Sequence, residues 1–182
     1  NKLKYIDLSD SLVTIEAHAF ESNWALERVD FPSTLKSIGN VAFGGCGADS
    51  IIIPENTSLG TYAFNWSAMR YVELPTSYYN IATQYVFTNC SNLNRIKLKS
   101  PTLLHGNTSD FVSNKGNITL VVPDYLVSSY KLDSYWYTYK DVEGFGTSEV
   151  DTWTINNPVV LDASSRLQGT PNVNINYTTL TM

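Results

Sequence analysis

Residues Leu26–Cys46 read LERVDFPSTLKSIGNVAFGGC. Glu27-Arg28-Val29-Asp30-Phe31 alternates polar and apolar, the period of a half-buried strand, with Val29 and Phe31 expected inward and Arg28 and Asp30 outward. Pro32 stops the run, because proline cannot donate to a strand ladder. Leu35 and Ile38 supply a second apolar wall. Gly39 is expected to turn the chain, and Val41-Ala42-Phe43 to pack back as a short helical turn before Cys46 closes the unit. The same text returns about every 21–24 residues along two thirds of the chain. A fixed period in that range marks a solenoid, in which no coil buries its own apolar residues and neighbours share one core.

Units start near residues 3, 26, 48, 69 and 93, which gives an array over 1–99 of about five coils. The first carries Leu3, Ile6, Leu8, Leu12, Ile15, Ala19 and Phe20 as inward positions. The third carries Ala48, Ile51, Ile53, Pro54, Leu59, Ala63, Phe64 and Ser67, and the fourth Met69, Val72, Leu74, Pro75, Ile81, Val86, Phe87 and Cys90. The fifth begins as Leu93, Ile96 and Leu98 and then leaves the pattern. The column Phe20, Phe43, Phe64, Phe87 is its clearest mark, each Phe preceded by Ala or Val.

Beyond Lys99-Ser100-Pro101 a polar stretch runs from Thr102 to Asn117. Ile118–Pro123 then reads as a buried strand, and Asp124 is placed to N-cap a short helix reaching Tyr130. Solenoids need an atypical end unit over the last coil. Residues 100–146 are assigned that role, with Val127, Tyr130 and Trp136 over the open end of the core; a separate small domain is the alternative. Gly144–Ser148 reads as a linker. In 147–182, Trp153-Thr154-Ile155, Val159-Val160-Leu161 and Val173–Tyr177 read as weak strands of a tail or of another module.

The unit L-x-x-I-x-L-P-x-x-L-x-x-I-G-x-x-A-F-x-x-C resembles the BspA-like leucine-rich repeat family of bacterial cell-surface proteins. Leu26, Val29, Phe31, Pro32, Leu35, Ile38, Gly39, Ala42, Phe43 and Cys46 carry the match. Val121-Val122-Pro123, Tyr130-Lys131 and Trp136 are similar to that family's terminal unit, so the resemblance spans about 1–145. Departures are Ser9-Asp10 in place of the Pro, Ala48 and Ser67 in place of Leu and Cys, and a fourth unit without the Gly. The resemblance implies a right-handed leucine-rich-repeat solenoid, strand-dominated with short helical turns and a C-terminal cap. It further implies an exported protein of anaerobic host-associated bacteria, extracellular or at the cell surface, that works in adhesion or matrix-protein binding.

Composition narrows the partners. The chain has 182 residues with a formal charge of −5, which lacks the basic footprint of a nucleic-acid binder and any polybasic segment for an anionic membrane. No apolar run approaches the roughly 20 residues of a membrane span. The chain opens on Asn1-Lys2 without an initiating Met, as expected of a mature or excised piece, so localisation is not read from that end. Cys46 and Cys90 fall in one column two coils apart, roughly 9–10 Å at strand pitch, and a disulfide needs Cα atoms within about 7 Å. Two free, buried thiols are expected.

The outward strand residues form the candidate binding face, in two columns: Tyr5, Arg28, Ser50, Tyr71 and Arg95, and Asp7, Asp30, Ile52, Glu73 and Lys97. Regular extended faces of this kind bind partners, and Tyr and Arg are enriched in hot spots. A solvated sheet face with cross-strand charge pairing is the competing reading. A second aromatic set, Tyr62, Trp66, Tyr78, Tyr79 and Tyr85, could stack on sugars or protein, and is read instead as filling gaps between uneven coils. Catalytic sets do poorly. Ser109, His105 and Asp110 are sequence neighbours without a nucleophile elbow. Cys46, Cys90, His18 and His105 lack the close-spaced pairs of a zinc site. Asp30 and Glu73 fall near an inverting glycosidase separation, with nothing to mark a cleft. Asn-x-Ser/Thr triplets at Asn56, Asn65, Asn89, Asn107, Asn117 and Asn176 follow from composition.

These residues predict a non-enzymatic binding module without cofactor or metal, whose partner is a host or extracellular-matrix protein or a glycan taken on the strand face. A structural spacer projecting another module is the alternative, and a glycan hydrolase a remote one. The strand at 3–8, with nothing capping it, invites edge-mediated self-association unless the tail covers it.

Overall fold

The computed structural model describes residues 3–78, 85–104 and 111–146. All of these lie in the first of two units into which the chain divides, Asn1–Gly146. Its regular elements are β1 (Thr14–Ile15), β2 (Ser37–Ile38), β3 (Ser50–Ile52), β4 (Ser58–Leu59), β5 (Tyr71–Leu74), β6 (Arg95–Leu98), β7 (Thr119–Val122), α1 (Val127–Leu132) and β8 (Asp141–Gly144). Every strand pairing is parallel and joins one coil to the next. β1, β2 and β4 form one sheet, and β3, β5, β6, β7 and β8 form another. The registers put Ser50 on Tyr71 on Arg95, and Ile52 on Glu73 on Lys97. Alternation along the longer sheet sends Ile51, Val72, Leu74, Ile96 and Leu98 into the core, each buried.

A third wall closes each coil, and here the expected helical turn is absent. Residues around each Ala-Phe form successive tight turns, and alternate N–H groups donate across to the next coil. Phe20 N donates to Ala42 O (2.8 Å), Phe43 N to Ala63 O (2.8 Å), Phe64 N to Val86 O (3.0 Å) and Phe87 N to Phe111 O (3.2 Å). A helix would spend those donors on its own preceding turn and leave nothing to tie coil to coil. Keeping them axial forces left-handed backbone on both sides of the Phe. His18, Val41, Tyr62 and Tyr85 take it two residues before, and Ser22, Gly45, Trp66 and Asn89 two residues after. Only Gly45 takes that conformation without penalty. Val41, β-branched, takes it at φ 55°.

The core is a stack of phenylalanines. Phe20, Phe43, Phe64 and Phe87 lie face to face, with centroids 5.0, 5.5 and 5.5 Å apart. Phe111 continues the column as a T-shaped contact 5.2 Å from Phe87. The coil therefore goes on past Leu98, beyond the point where the sequence pattern breaks. Phe31 sets its edge against Phe43 and Phe64.

Gly39 does not turn the chain as expected. A Cβ there would lie 2.4 Å from Ala17 N, and one at Gly60 would lie 2.5 Å from Asn40 N. The Ile-Gly column is glycine because backbones of adjacent coils touch at that point. The Cys column has a comparable logic: Cys90 Sγ donates to Phe64 O (3.1 Å) and Ser67 Oγ to Phe43 O (2.8 Å). In these two coils a small donor fastens the coil to the Phe carbonyl of the one before, so serine can take the place of cysteine in that role. Cys46 and Cys90 are both free and buried.

The array's ends differ from expectation. Residues 3–8 form no regular strand: only a single bridge joins Tyr5 to Arg28. Leu3 and Ala19 are exposed, and Ile6, Leu8, Leu12 and Phe20 are half-buried, because the first coil has a neighbour on one side alone among the described residues. Downstream, β7 is buried along its whole length and β8 pairs with it in register. Asp124 does not cap α1. Its side chain accepts instead from Gly146 N (3.0 Å), and a 3₁₀ turn, Asp124–Leu126, leads into the helix. Tyr130 and Trp136 are fully buried, Val127 packs against the core, and the two rings clasp one residue. Leu104 N donates to Tyr130 Oη (3.1 Å), and Trp136 Nε1 donates to Leu104 O (2.6 Å). Ile81, the Asn107 triplet and the tail strands after 147 lie outside the described residues.

Phe64→Ala is expected to lose about 3–5 kcal/mol in denaturant unfolding, since the ring is fully buried between two others. Gly60→Ala should lose about 1–3 kcal/mol by forcing two backbones apart. Gly116→Ala, with open space around its Cβ position, should be near neutral in the same assay. The thiols give a second check. Burial pushes Cys90 up to about 12 and raises Cys46 as well, and burial likewise pushes Tyr130 up to about 12. Neither cysteine should alkylate in folded protein at pH 8. Stability should fall as pH climbs above about 8.5, where the unfolded chain ionises and the folded one does not. Cys90→Ser should remove part of that alkaline loss in pH-dependent melts.

Candidate functional site

The two predicted columns exist, but they split into halves. In the C-terminal half, Ser50–Tyr71–Arg95 and Ile52–Glu73–Lys97 stand side by side on consecutive strands. In the N-terminal half Tyr5 pairs with Arg28, with Asp7 and Asp30 exposed two residues further along. No strand pairing joins Arg28 to Ser50 among the described residues, so the face is not one continuous sheet.

The C-terminal half is knitted to itself. The Tyr71 hydroxyl donates to Glu73 Oε2 at 2.9 Å, and Lys97 Nζ and Lys99 Nζ reach the same carboxylate at 3.3 and 3.4 Å. Burial works to raise the Glu73 carboxyl. The Tyr71 hydrogen bond and the two ammonium groups outweigh it and hold the group below its ordinary value. The same burial, then the bond to Glu73, pushes the Tyr71 hydroxyl up. Arg95 Nη2 reaches past β7 to Glu143 Oε2 on β8 at 2.8 Å, and Lys97 Nζ lies 4.9 Å from the centroid of the Phe145 ring. These long side chains explain why β7 is buried on both faces, with Thr119 and Val121 continuing the two columns underneath them. Arg95 and Lys97, read from sequence as binding residues, are occupied in covering their neighbours. The cue was available: Glu143 and Phe145 follow at the strand period, but only the fold brings them over β7.

The N-terminal half is open. Arg28 and Asp30 form an ion pair at 2.7 Å, with side chains 75% and 72% exposed, and the Tyr5 hydroxyl donates to Glu27 at 2.7 Å. Pairs this exposed contribute little to stability. Ile52, at the end of β3 on the edge of the longer sheet nearest this half in the chain, is an isoleucine left 57% exposed.

The second aromatic set corrects its expectation. Tyr78 fills space against Phe111 as predicted, with centroids 6.5 Å apart. Tyr62, Trp66 and Tyr85 do not fill gaps. All three are exposed on the turn wall, Tyr62 stacked on Tyr85 at 5.4 Å. Tyr79, His105, Ser109 and Asp110 lie outside the described residues. His18 is exposed and pairs with Glu21 at 2.7 Å, away from the buried thiols, and no cluster of three or more metal-ligating side chains occurs among the described residues.

Parallel single-turn coils, a phenylalanine stack, close glycine contacts and small thiol or hydroxyl donors between coils define a leucine-rich-repeat solenoid. The particular kind is set by comparison with known families: residues 1–115 match the BspA type leucine rich repeat region in 6 copies, and the chain belongs to that family. Two solved structures share the fold. The pneumococcal vaccine antigen PcpA superposes with a TM-score of 0.63 at 17% identity, covering 74% of this chain and 34% of that one. A leucine-rich repeat protein from Bacteroides ovatus superposes with a TM-score of 0.50 at 28% identity, covering 69% and 35%. The chain thus spans about a third of the length of each. No curated protein matches it.

The Glu73 cluster carries a prediction. A carboxylate held below its ordinary value favours the folded state above about pH 4.3, and that contribution is lost as pH falls through the folded value. Acid unfolding followed by circular dichroism should show Glu73→Gln with a flatter acid limb than wild type, and Arg28→Ala should leave that limb unchanged.

Proposed function

We propose that this chain is a non-enzymatic protein-interaction module displayed at the surface of a bacterium, and that it takes its partner on the open half of the strand face. Membership of the repeat family supports the surface setting, and the likeness to a pneumococcal antigen is consistent with it at the level of fold. The observation that carries the site is Ile52, a large apolar side chain left in solvent at the end of β3, the edge strand of the longer sheet and the one that follows the open half in the chain. Arg28, Asp30 and Tyr5 supply the polar surround. The partner class is a host or matrix protein: a spread, shallow face with an apolar anchor and paired charges suits a protein surface.

The charge pairing over β5–β8 favours a second reading for that half of the face, a spacer that holds its own surface closed while it projects another module. Surface binding of folded protein to immobilised extracellular-matrix proteins distinguishes the two. A partner whose affinity falls at least about tenfold in Arg28→Ala/Ile52→Asp, with Tyr71→Phe unchanged, supports the binding face. No binding to any matrix protein by a sample with a cooperative melt supports the spacer.

A further inference from the structure

Trp66 stands where the fold has no use for a tryptophan. It occupies the left-handed column at φ 57°, beside Gly45 at φ 66° in the preceding coil. Glycine meets that backbone demand freely, and a tryptophan does not. Its ring gains no burial in exchange, being 60% exposed. A strained, exposed aromatic points to something outside the fold that uses it.

Beside the ring lies a cleft of about 250 Å³, lined by Trp66, Asn89, Cys90, Ser91, Ser113 and Asn114. Ser113 and Asn114 are also the near wall of a larger hollow of about 480 Å³, which continues along Lys115–Asn117 to Thr138. No charged side chain lines the first cleft, on a chain of net charge −5. Lys115, the single charge of the second, lies over the Tyr135 ring at 4.2 Å. The hydrogen-bonding inventory is neutral and mixed. Ser113 Oγ accepts from Asn89 N at 2.9 Å, which leaves its proton to donate outward. The Asn114 amide nitrogen is spent on Ser91 O and Leu93 O, both at 3.3 Å, which leaves its carbonyl oxygen to accept. Asn89 adds an exposed amide with both a donor and an acceptor.

We propose that this cleft on the turn wall binds a neutral glycan. One sugar ring lies against Trp66, and the chain runs past Ser113 and Asn114 into the larger hollow. A pyranose has a face of C–H groups that suits the negative face of an indole, and a rim of hydroxyls that donate and accept in equal measure. A charged ligand would find no counter-charge beside Trp66. The site is on a different wall from the strand face and does not depend on it.

The test titrates the full chain with neutral oligosaccharides of three to six residues, drawn from glucans, mannans, galactans and xylans, followed by calorimetry and tryptophan fluorescence. At least one series should bind, with affinity rising from three to six residues as the larger hollow is filled. Trp66→Gly should weaken it at least about tenfold while melting no lower than wild type, because glycine suits that backbone. Asn89→Ala should weaken it too, and Trp24→Ala and Arg28→Ala/Ile52→Asp should leave it unchanged. Absence of binding across all four series, binding that survives Trp66→Gly, or a Trp66→Gly variant that melts well below wild type would each overturn the proposal.

Discussion

Adjacent coils are held about 4.8 Å apart because backbone N–H groups of one donate to carbonyls of the next on all three walls. That single spacing governs what each column can hold. Rings stack face to face at 5.0–5.5 Å because that is the distance the backbones leave them. Gly39 and Gly60 are glycine because a Cβ would lie within 2.5 Å of the neighbouring backbone. Cys90 and Ser67 are small, buried donors placed within reach of the preceding Phe carbonyl. No coil has a core of its own, so each residue in a column depends on the residues above and below it.

The same spacing accounts for the turn wall. A helix closes its hydrogen bonds along its own axis, and that axis would lie across the solenoid, leaving adjacent coils unlinked on that side. Successive turns with left-handed residues on either side of the Phe redirect every second donor along the solenoid instead. One consequence is that the two flanking columns point their side chains outward. The core sets no size there, and glycine, serine, asparagine, tyrosine and tryptophan all occur. This is the wall on which side-chain identity is least constrained by folding and most free to serve a ligand.

The strand face is under the opposite pressure towards its C-terminal end. β7 is buried on both faces, Thr119 and Val121 included, and so is covered outside as well as inside. Arg95 and Lys97 on β6 supply part of that cover by reaching over it to Glu143 and Phe145, while Glu73 gathers Tyr71, Lys97 and Lys99. Charges committed in this way are poor candidates for a partner, since each would have to leave one ion pair to make another. The N-terminal half, with Arg28, Asp30 and Tyr5, makes only exposed side-chain pairs between its coils, Tyr5 and Lys4 with Glu27, and the edge residue Ile52 makes none.

Much of the architecture was legible in one dimension because a solenoid is built from contacts at a fixed sequence separation. The period placed Phe43 on Phe64 and Tyr71 on Arg95 without any long-range inference. Cys46 and Cys90 were assigned as separate thiols by counting coils. Three things required the tertiary structure, each because it depends on the distance between coils and not on order within one. The Ala-Phe segment became turns, since its donors are claimed by the next coil. Gly39 proved to be a point of contact, since Ala17 approaches from the coil before. Arg95 and Lys97 proved to be cover, since Glu143 and Phe145 come over β7 only when β8 is laid beside it. The sequence by itself determined what stacks on what; only the fold decided which outward residues remain free once the stacking is complete.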